Sequence, residues 1–192
     1  SPRDQDFNPD PAITSTSAQY RDYKQSGYRR GHLVQSADMA WHKEAMDATF
    51  LLSNIAPMLE NFNDGVWLEL EHNIRDWSRA YKEVTVLAGP VFDDPITTIG
   101  KNEVLVPKMF YKAVLTHDRG EPKVIGFLFD QTSTTYGRLE DYVVSIDSIE
   151  KVTGLDLFSN LYGDWDKEIA LERTKSSGWK FNEKWYLERI NN

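Results

Sequence analysis

Trp67, Leu70, Ile74, Trp77 and Tyr81 recur at spacings of three, four, three and four, which predicts an amphipathic helix burying that stripe. Asn63 or Asp64 is chemically suited to cap its start, and the pattern stops near Lys82-Glu83. A second periodicity follows. Val84–Ala88, closed by Gly89-Pro90, then Val104–Val106, Phe110–Leu115, Val124–Phe129 and Tyr142–Ser145 are β-rich runs separated by Gly, Pro, Asp and Asn. Asp147 is placed to cap a helix over Ser148–Val152, with Gly154 as its stop.

Upstream the pattern is weaker. Residues 1–27 are polar and proline-containing and read as loop, with one helical turn near Ala18–Lys24. Leu33-Val34 reads as the continuation of a short strand, Asp38–Met46 as a short helix, and Thr49–Leu52 as a buried strand that Ser53–Pro57 leaves as a loop. Residues 160–192 are helical in places and rich in tryptophan, without a clear placement. No repeat or low-complexity boundary divides the chain, so residues 1–192 read as a single α+β domain.

Composition narrows the class. With 40% hydrophobic and 27% charged residues the chain suits a globular domain, and no apolar run approaches the ~20 residues of a membrane span. There is no cysteine, which excludes disulfides and thiolate metal sites. The net charge of −8 argues against coating nucleic acid by bulk electrostatics. Yet Arg21, Lys24, Arg29 and Arg30 face only Asp22 within residues 20–32, a local +3. Such a distribution fits an enzyme that touches a few phosphates, or a plain solvated loop. Ser1-Pro2-Arg3 lacks both a methionine and an apolar signal core, so the chain is read as a processed or trimmed form.

That basic stretch contains Arg29-Arg30-Gly31-His32. It resembles the Asp-Arg-Gly-His motif of the DNA/RNA non-specific endonucleases of the ββα-metal superfamily, with Arg29 at the aspartate position. Ser53-Asn54-Ile55-Ala56-Pro57-Met58 and Asn63…Trp67…Leu70-Glu71 are similar to the family's Ser-Asn-Ile-x-Pro-Gln and Asn-x-x-x-Trp-x-x-Leu-Glu segments, with Met58 in place of glutamine. Segments 86–92, 106–112 and 145–154 also look like family segments, and Arg3 falls where the family keeps an arginine. The resemblance covers roughly residues 3–158, and a leading strand usual in the family is missing.

The resemblance implies a ββα-metal nuclease core in a mixed, largely antiparallel sheet flanked by helices. It implies a Mg²⁺-dependent endonuclease cleaving DNA and RNA, single- or double-stranded, with one divalent ion that Mn²⁺ is able to replace. The catalytic set it implies is His32 as general base, with Arg3, Glu71 and Asn54. Asn63 would ligate the metal directly and Glu71 through water, while Arg29 and Arg30 would contact substrate phosphate. No membrane partner is expected and a homodimer is allowed. The family's habit and the chain's start point to a secreted or periplasmic location.

The residues are consistent with this reading. A neutral imidazole accepts a proton from water, and an asparagine carbonyl suits Mg²⁺, which keeps several waters. Glu71 lies about 12 Å beyond Asn63 along a straight helix, which favours action through water over direct ligation. Taken singly, Asn63 reads as a helix cap, Glu71 as a solvated charge, and a lone histidine as structural. His42, His72 and His117 keep that structural reading, and Trp67, Trp77 and Tyr81 read as core. The alternative function is a catalytically weakened nucleic-acid-binding relative, because Arg29 cannot support the imidazole as an aspartate could.

Overall fold

The computed structural model describes residues 7–92, 96–159, 165–173 and 178–191. They form two compact units, one from residues 1–65 and 92–108 and the other from 66–91 and 109–192. Among the described residues every strand pair is antiparallel, apart from a lone parallel bridge between Asn8 and Leu51. No described helix is long and apolar enough to cross a membrane.

The first unit is built on two short strand pairs. β1 (Arg29–His32) pairs with β2 (Ile55–Met58), which places Arg30 opposite Pro57 and His32 opposite Ile55. β4 (Thr97–Ile99) pairs with β5 (Val104–Val106). Phe7, Tyr23, Leu52, Ile55 and Ile99 form the core, with Phe50, Val104 and Val106 packed on it. The β4–β5 turn rests on Asp22, whose carboxylate accepts hydrogen bonds from the Asn102 backbone at 3.2 Å and its side-chain amide at 2.7 Å. Gly100 makes this approach with φ +69°, and a Cβ there would lie 2.3 Å from that of Asp22.

Several local expectations change here. Thr49–Leu52 is not a strand but a turn, one bridge at Leu51 and the start of a 3₁₀ turn over Leu52–Asn54. The strand instead occupies Ile55–Met58, the segment read as loop because of Pro57. A two-stranded sheet has only edge strands, where a proline without an N–H is tolerated. β1 ends at His32, so Leu33-Val34 bends instead of extending it. The helix expected over Asp38–Met46 is a 3₁₀ turn, Ser36–Met39, followed by the separate helix α1 (Lys43–Ala48). The turn expected near Ala18–Lys24 is present at Tyr20–Asp22.

The second unit packs helices on both faces of a four-stranded sheet. α2 (Leu68–Tyr81) buries Leu70, Ile74 and Trp77 as the periodicity predicts, and Lys82 ends it with φ +73°. It does not start on an asparagine or aspartate cap. A wide helical turn over Phe62–Trp67, broken at Gly65, precedes it, so the straight-helix spacing between Asn63 and Glu71 does not hold.

The sheet runs β3-β6-β7-β8, from β3 (Thr85–Val91), β6 (Met109–Asp118), β7 (Glu121–Asp130) and β8 (Val143–Val144). β3 continues through Gly89-Pro90 because it is the edge strand. Phe110, Phe127 and Phe129 face Trp67 and Trp77 at ring separations of 5.7–6.3 Å. On the other face Tyr111, Ala113, Leu115 and Val124 pack with Ile146 and Ile149 of α3 (Ile146–Thr153). Burial on both faces explains why the central strands read as nearly continuous apolar runs. Ser145, not Asp147, caps α3 by accepting from the Ser148 N–H, and Gly154 stops it in the left-handed region.

The tail gains a placement. α4 (Trp165–Arg173) packs by α3, and α5 (Glu183–Asn191) docks on α2. Trp185 Nε1 donates to Asp76, and Arg189 donates to Glu69 and to the carbonyls of Tyr136 and Gly137.

Candidate active site

Strand alternation puts Arg30 and His32 on one face of β1 and Arg29 and Gly31 on the other. On the first face the His32 imidazole sits edge-on to Phe50, ring centroids 5.0 Å apart, and 5.7 Å from Phe7. Burial in this aromatic surround pushes its pKa down to about 4. The ring is therefore neutral at pH 7, the form that accepts a proton. The Arg30 guanidinium, on the same face of β1, lies 4.9 Å above the Phe7 ring and 4.6 Å from that of Tyr20.

Asn54 fastens the chain that leaves His32. Its side-chain oxygen accepts from the Val34 N–H at 3.0 Å, and its amide donates to the carbonyls of Val34 at 2.8 Å and Thr49 at 2.9 Å. Its backbone carbonyl accepts from the Leu33 N–H at 3.0 Å. These bonds give Asn54 a positioning part: both amide atoms hold backbone.

On the opposite face of β1, Arg29 is exposed, ion-paired with Glu60 and 3.9 Å from the Asp64 carboxylate. Gly31 is required there by Met58, which is fully buried with its Sδ 2.2 Å from where a Cβ would stand. Beside these residues opens a groove of about 500 Å³ lined by Tyr20, Lys24, Tyr28, Arg29, Arg30 and Glu60 among others.

Asn63 is half-buried in the turn before α2, and its amide donates to Asp64 Oδ1 at 2.5 Å. Its own carbonyl oxygen accepts no hydrogen bond among the described residues, so it suits a hard cation. Arg3 lies outside the described residues.

In the second unit Glu71 is not a solvated helix charge. Its carboxylate accepts from Lys112 Nζ at 3.2 Å with both side chains almost wholly buried, and the ammonium lies 4.1 Å over the Trp67 ring. The sequence reading missed Lys112. Its signal was a lysine at the centre of the apolar run Phe110–Leu115, which only a buried partner makes tolerable. Phe7 and Phe50 around His32 were also missed, because nothing in their spacing ties them to the motif. His72 stacks on Trp185 at 4.2 Å, a structural part.

Comparison with known proteins gives a consistent result. A family model for DNA/RNA non-specific endonucleases matches residues 1–164. The chain is 35% identical over 170 residues to bovine "Endonuclease G, mitochondrial", covering 81% of this chain and 56% of that protein. It is 35% identical over 178 residues to Xenopus laevis "Nuclease EXOG, mitochondrial", covering 85% and 49%. The Saccharomyces cerevisiae "Mitochondrial nuclease" is 34% identical over 172 residues, covering 79% and 52%. The chain thus spans about half the length of these relatives.

Among solved structures, one described as the EndoG/EndoGI complex and the mechanism of EndoG inhibition matches with TM-score 0.74 and 29% identity. That match covers 79% of this chain and 68% of that one. The mitochondrial names correct the expectation of a secreted or periplasmic protein. That expectation rested on a habit and on how the chain begins, neither of which is a physical address. The chain belongs to the DNA/RNA non-specific endonuclease family.

Proposed function

We propose that this chain is the nuclease domain of a Mg²⁺-dependent enzyme that hydrolyses phosphodiester bonds in DNA and RNA with little sequence preference. The observation that carries the reading is His32: a neutral imidazole on a strand end, packed against Phe7, with Arg30 on the same face of the strand and over the same ring. Water gives a proton to the imidazole, the hydroxide attacks phosphorus, and the opposite P–O bond breaks. Arg30 contacts the phosphate, and Asn54 keeps the segment after His32 in place. Asn63 would hold a Mg²⁺ ion through its side-chain carbonyl, and the ion would supply stabilisation of the charge that builds in the reaction. The part assigned to Glu71, acting through metal-bound water, rests on its motif spacing from Asn63 along the chain. Arg3 is assigned to stabilising transition-state charge by its match to the family arginine. The names of the relatives support nuclease chemistry and a mitochondrial location.

The weakened-relative reading is not favoured. Arg29 leaves the imidazole's face of β1 and pairs with Glu60, so the substitution does not load a cation onto His32. The test is digestion of plasmid DNA and a long RNA by this chain, with Mg²⁺ or with EDTA. Cleavage of both that needs the ion and fails in His32→Ala supports the reading. Metal-independent cleavage, or unchanged cleavage by the variant, overturns it.

A further inference from the structure

α3 and α4 present a concentration of carboxylates that the nuclease reading does not use. Glu150 on α3, Asp156 just after it and Glu172 on α4 each place one ligand oxygen within 4.8 Å of the others. They line a cavity of about 240 Å³ together with Asp147 and Glu168, and among the described lining residues these five acids meet one cation, Arg173.

Acidic residues often gather on a surface without purpose, but Glu172 is not a surface acid. It is 9% exposed, and its Oε1 is buried with no hydrogen-bond partner among the described residues. An unsatisfied buried carboxylate oxygen is costly, so the native state needs something to meet it. Burial, and then the neighbouring charges of Glu150, Glu168, Asp156 and Asp147, push the Glu172 pKa up to about 7. A proton on Glu172 would find a neighbouring carboxylate as acceptor but would neutralise only one of the five charges gathered there. A divalent cation answers the unsatisfied oxygen and the mutual repulsion together.

We propose that Glu150, Asp156 and Glu172 form a Ca²⁺ site that ties α3 to α4. Two oxygens on one ion lie at most twice the bond length apart. The ligand oxygens lie within 4.8 Å of one another, inside the reach of two Ca²⁺–O bonds of about 2.3–2.6 Å, and an all-carboxylate set with open water positions suits the irregular shell of Ca²⁺. One Glu150 oxygen already accepts the Leu157 N–H at 2.6 Å, which fixes that carboxylate while its second oxygen serves the ion. Waters complete the shell, because Asp156 is exposed. The inference stands on the α3–α4 geometry and does not depend on the proposed nuclease activity.

The test is calcium binding by the whole 192-residue chain after chelator treatment, using CaCl₂ alone as the probe. Calorimetry should show an ion bound whose affinity depends on Asp156 and Glu172. At a hundredfold excess over Kd the melting temperature should rise by roughly 5–10 °C. Asp156→Asn, an exposed change that spares folding, and Glu172→Gln should each weaken binding at least about tenfold. Asn63→Ala should retain the bound calcium that Asp156→Asn and Glu172→Gln weaken. Absence of binding, or binding that survives both carboxylate changes, overturns the proposal; calcium lost in Asn63→Ala instead assigns the ion to the other site and overturns it as well.

Discussion

Lys112 Nζ lies 3.2 Å from Glu71 Oε1, and both side chains are buried between α2 and the phenylalanine face of the sheet. Each of these charges, out of water, needs a partner of opposite sign. Lys112→Met leaves the Glu71 carboxylate buried without this ammonium and should cost about 3–5 kcal/mol in urea unfolding. Lys112→Met combined with Glu71→Leu should cost less than the sum of the two single changes, because the pair's interaction is lost only once. A single-variant loss under about 1 kcal/mol would contradict the buried pairing.

His32→Ala should lower kcat by about 10²–10⁴-fold while leaving nucleic-acid affinity close to unchanged. The base acts in its neutral form, so the acid limb of kcat/KM should lie nearer pH 4 than 6.5. Stability follows the same shift. The folded-state pKa is below the unfolded value, so the unfolded chain takes the proton first as pH falls. The contribution from a neutral His32 is present above pH 6.5 and lost as pH drops from 6.5 to about 4. Melting temperature should therefore fall more over that window in the unaltered chain than in His32→Gln. Equal falls would show that the imidazole is not desolvated.

Asn63→Ala should raise the Mg²⁺ concentration needed for half-maximal activity by about tenfold or more, with rate partly restored at high Mg²⁺. Asn63→Asp should keep tight metal dependence, since the carboxylate still offers oxygen. An unchanged Mg²⁺ requirement in the alanine variant, measured in a plasmid-nicking titration, would remove Asn63 from the metal.

Arg29→Asp should weaken nucleic-acid binding and reduce the slope of log K against log salt by roughly one. The new carboxylate would stand beside Glu60 and Asp64, adding repulsion to the lost phosphate contact. Turnover of bound substrate should hold, because Arg29 is on the face of β1 away from His32. A strong rise in kcat at unchanged affinity would instead mark Arg29 as a defect of the site.

Periodicity along the chain was sufficient for α2, β5, β6 and β7. In α2 one buried face imposes a 3.6-residue repeat, and β5, β6 and β7 show as β-rich apolar runs, which in β6 and β7 reflect burial on both faces. The motif residues His32, Asn54, Asn63 and Glu71 were also legible, because their identities and spacings survive as a linear pattern. The β1–β2 pairing was not, since Pro57 argues locally for a loop and only the partner strand makes it an edge position.

What only the tertiary structure decided is how each of those residues is used. The His32 imidazole is held neutral because Phe7 and Phe50, distant in sequence, remove water from it. Asn54 became a backbone clamp, and Glu71 half of a buried pair with Lys112, through bonds spanning 20 and 41 residues. The carboxylates of Glu150, Asp156 and Glu172 meet only because α4 folds back on α3. Residue type and spacing set what chemistry a side chain is able to do. Desolvation and partners from elsewhere in the chain set its charge state, and those are properties of the packed fold.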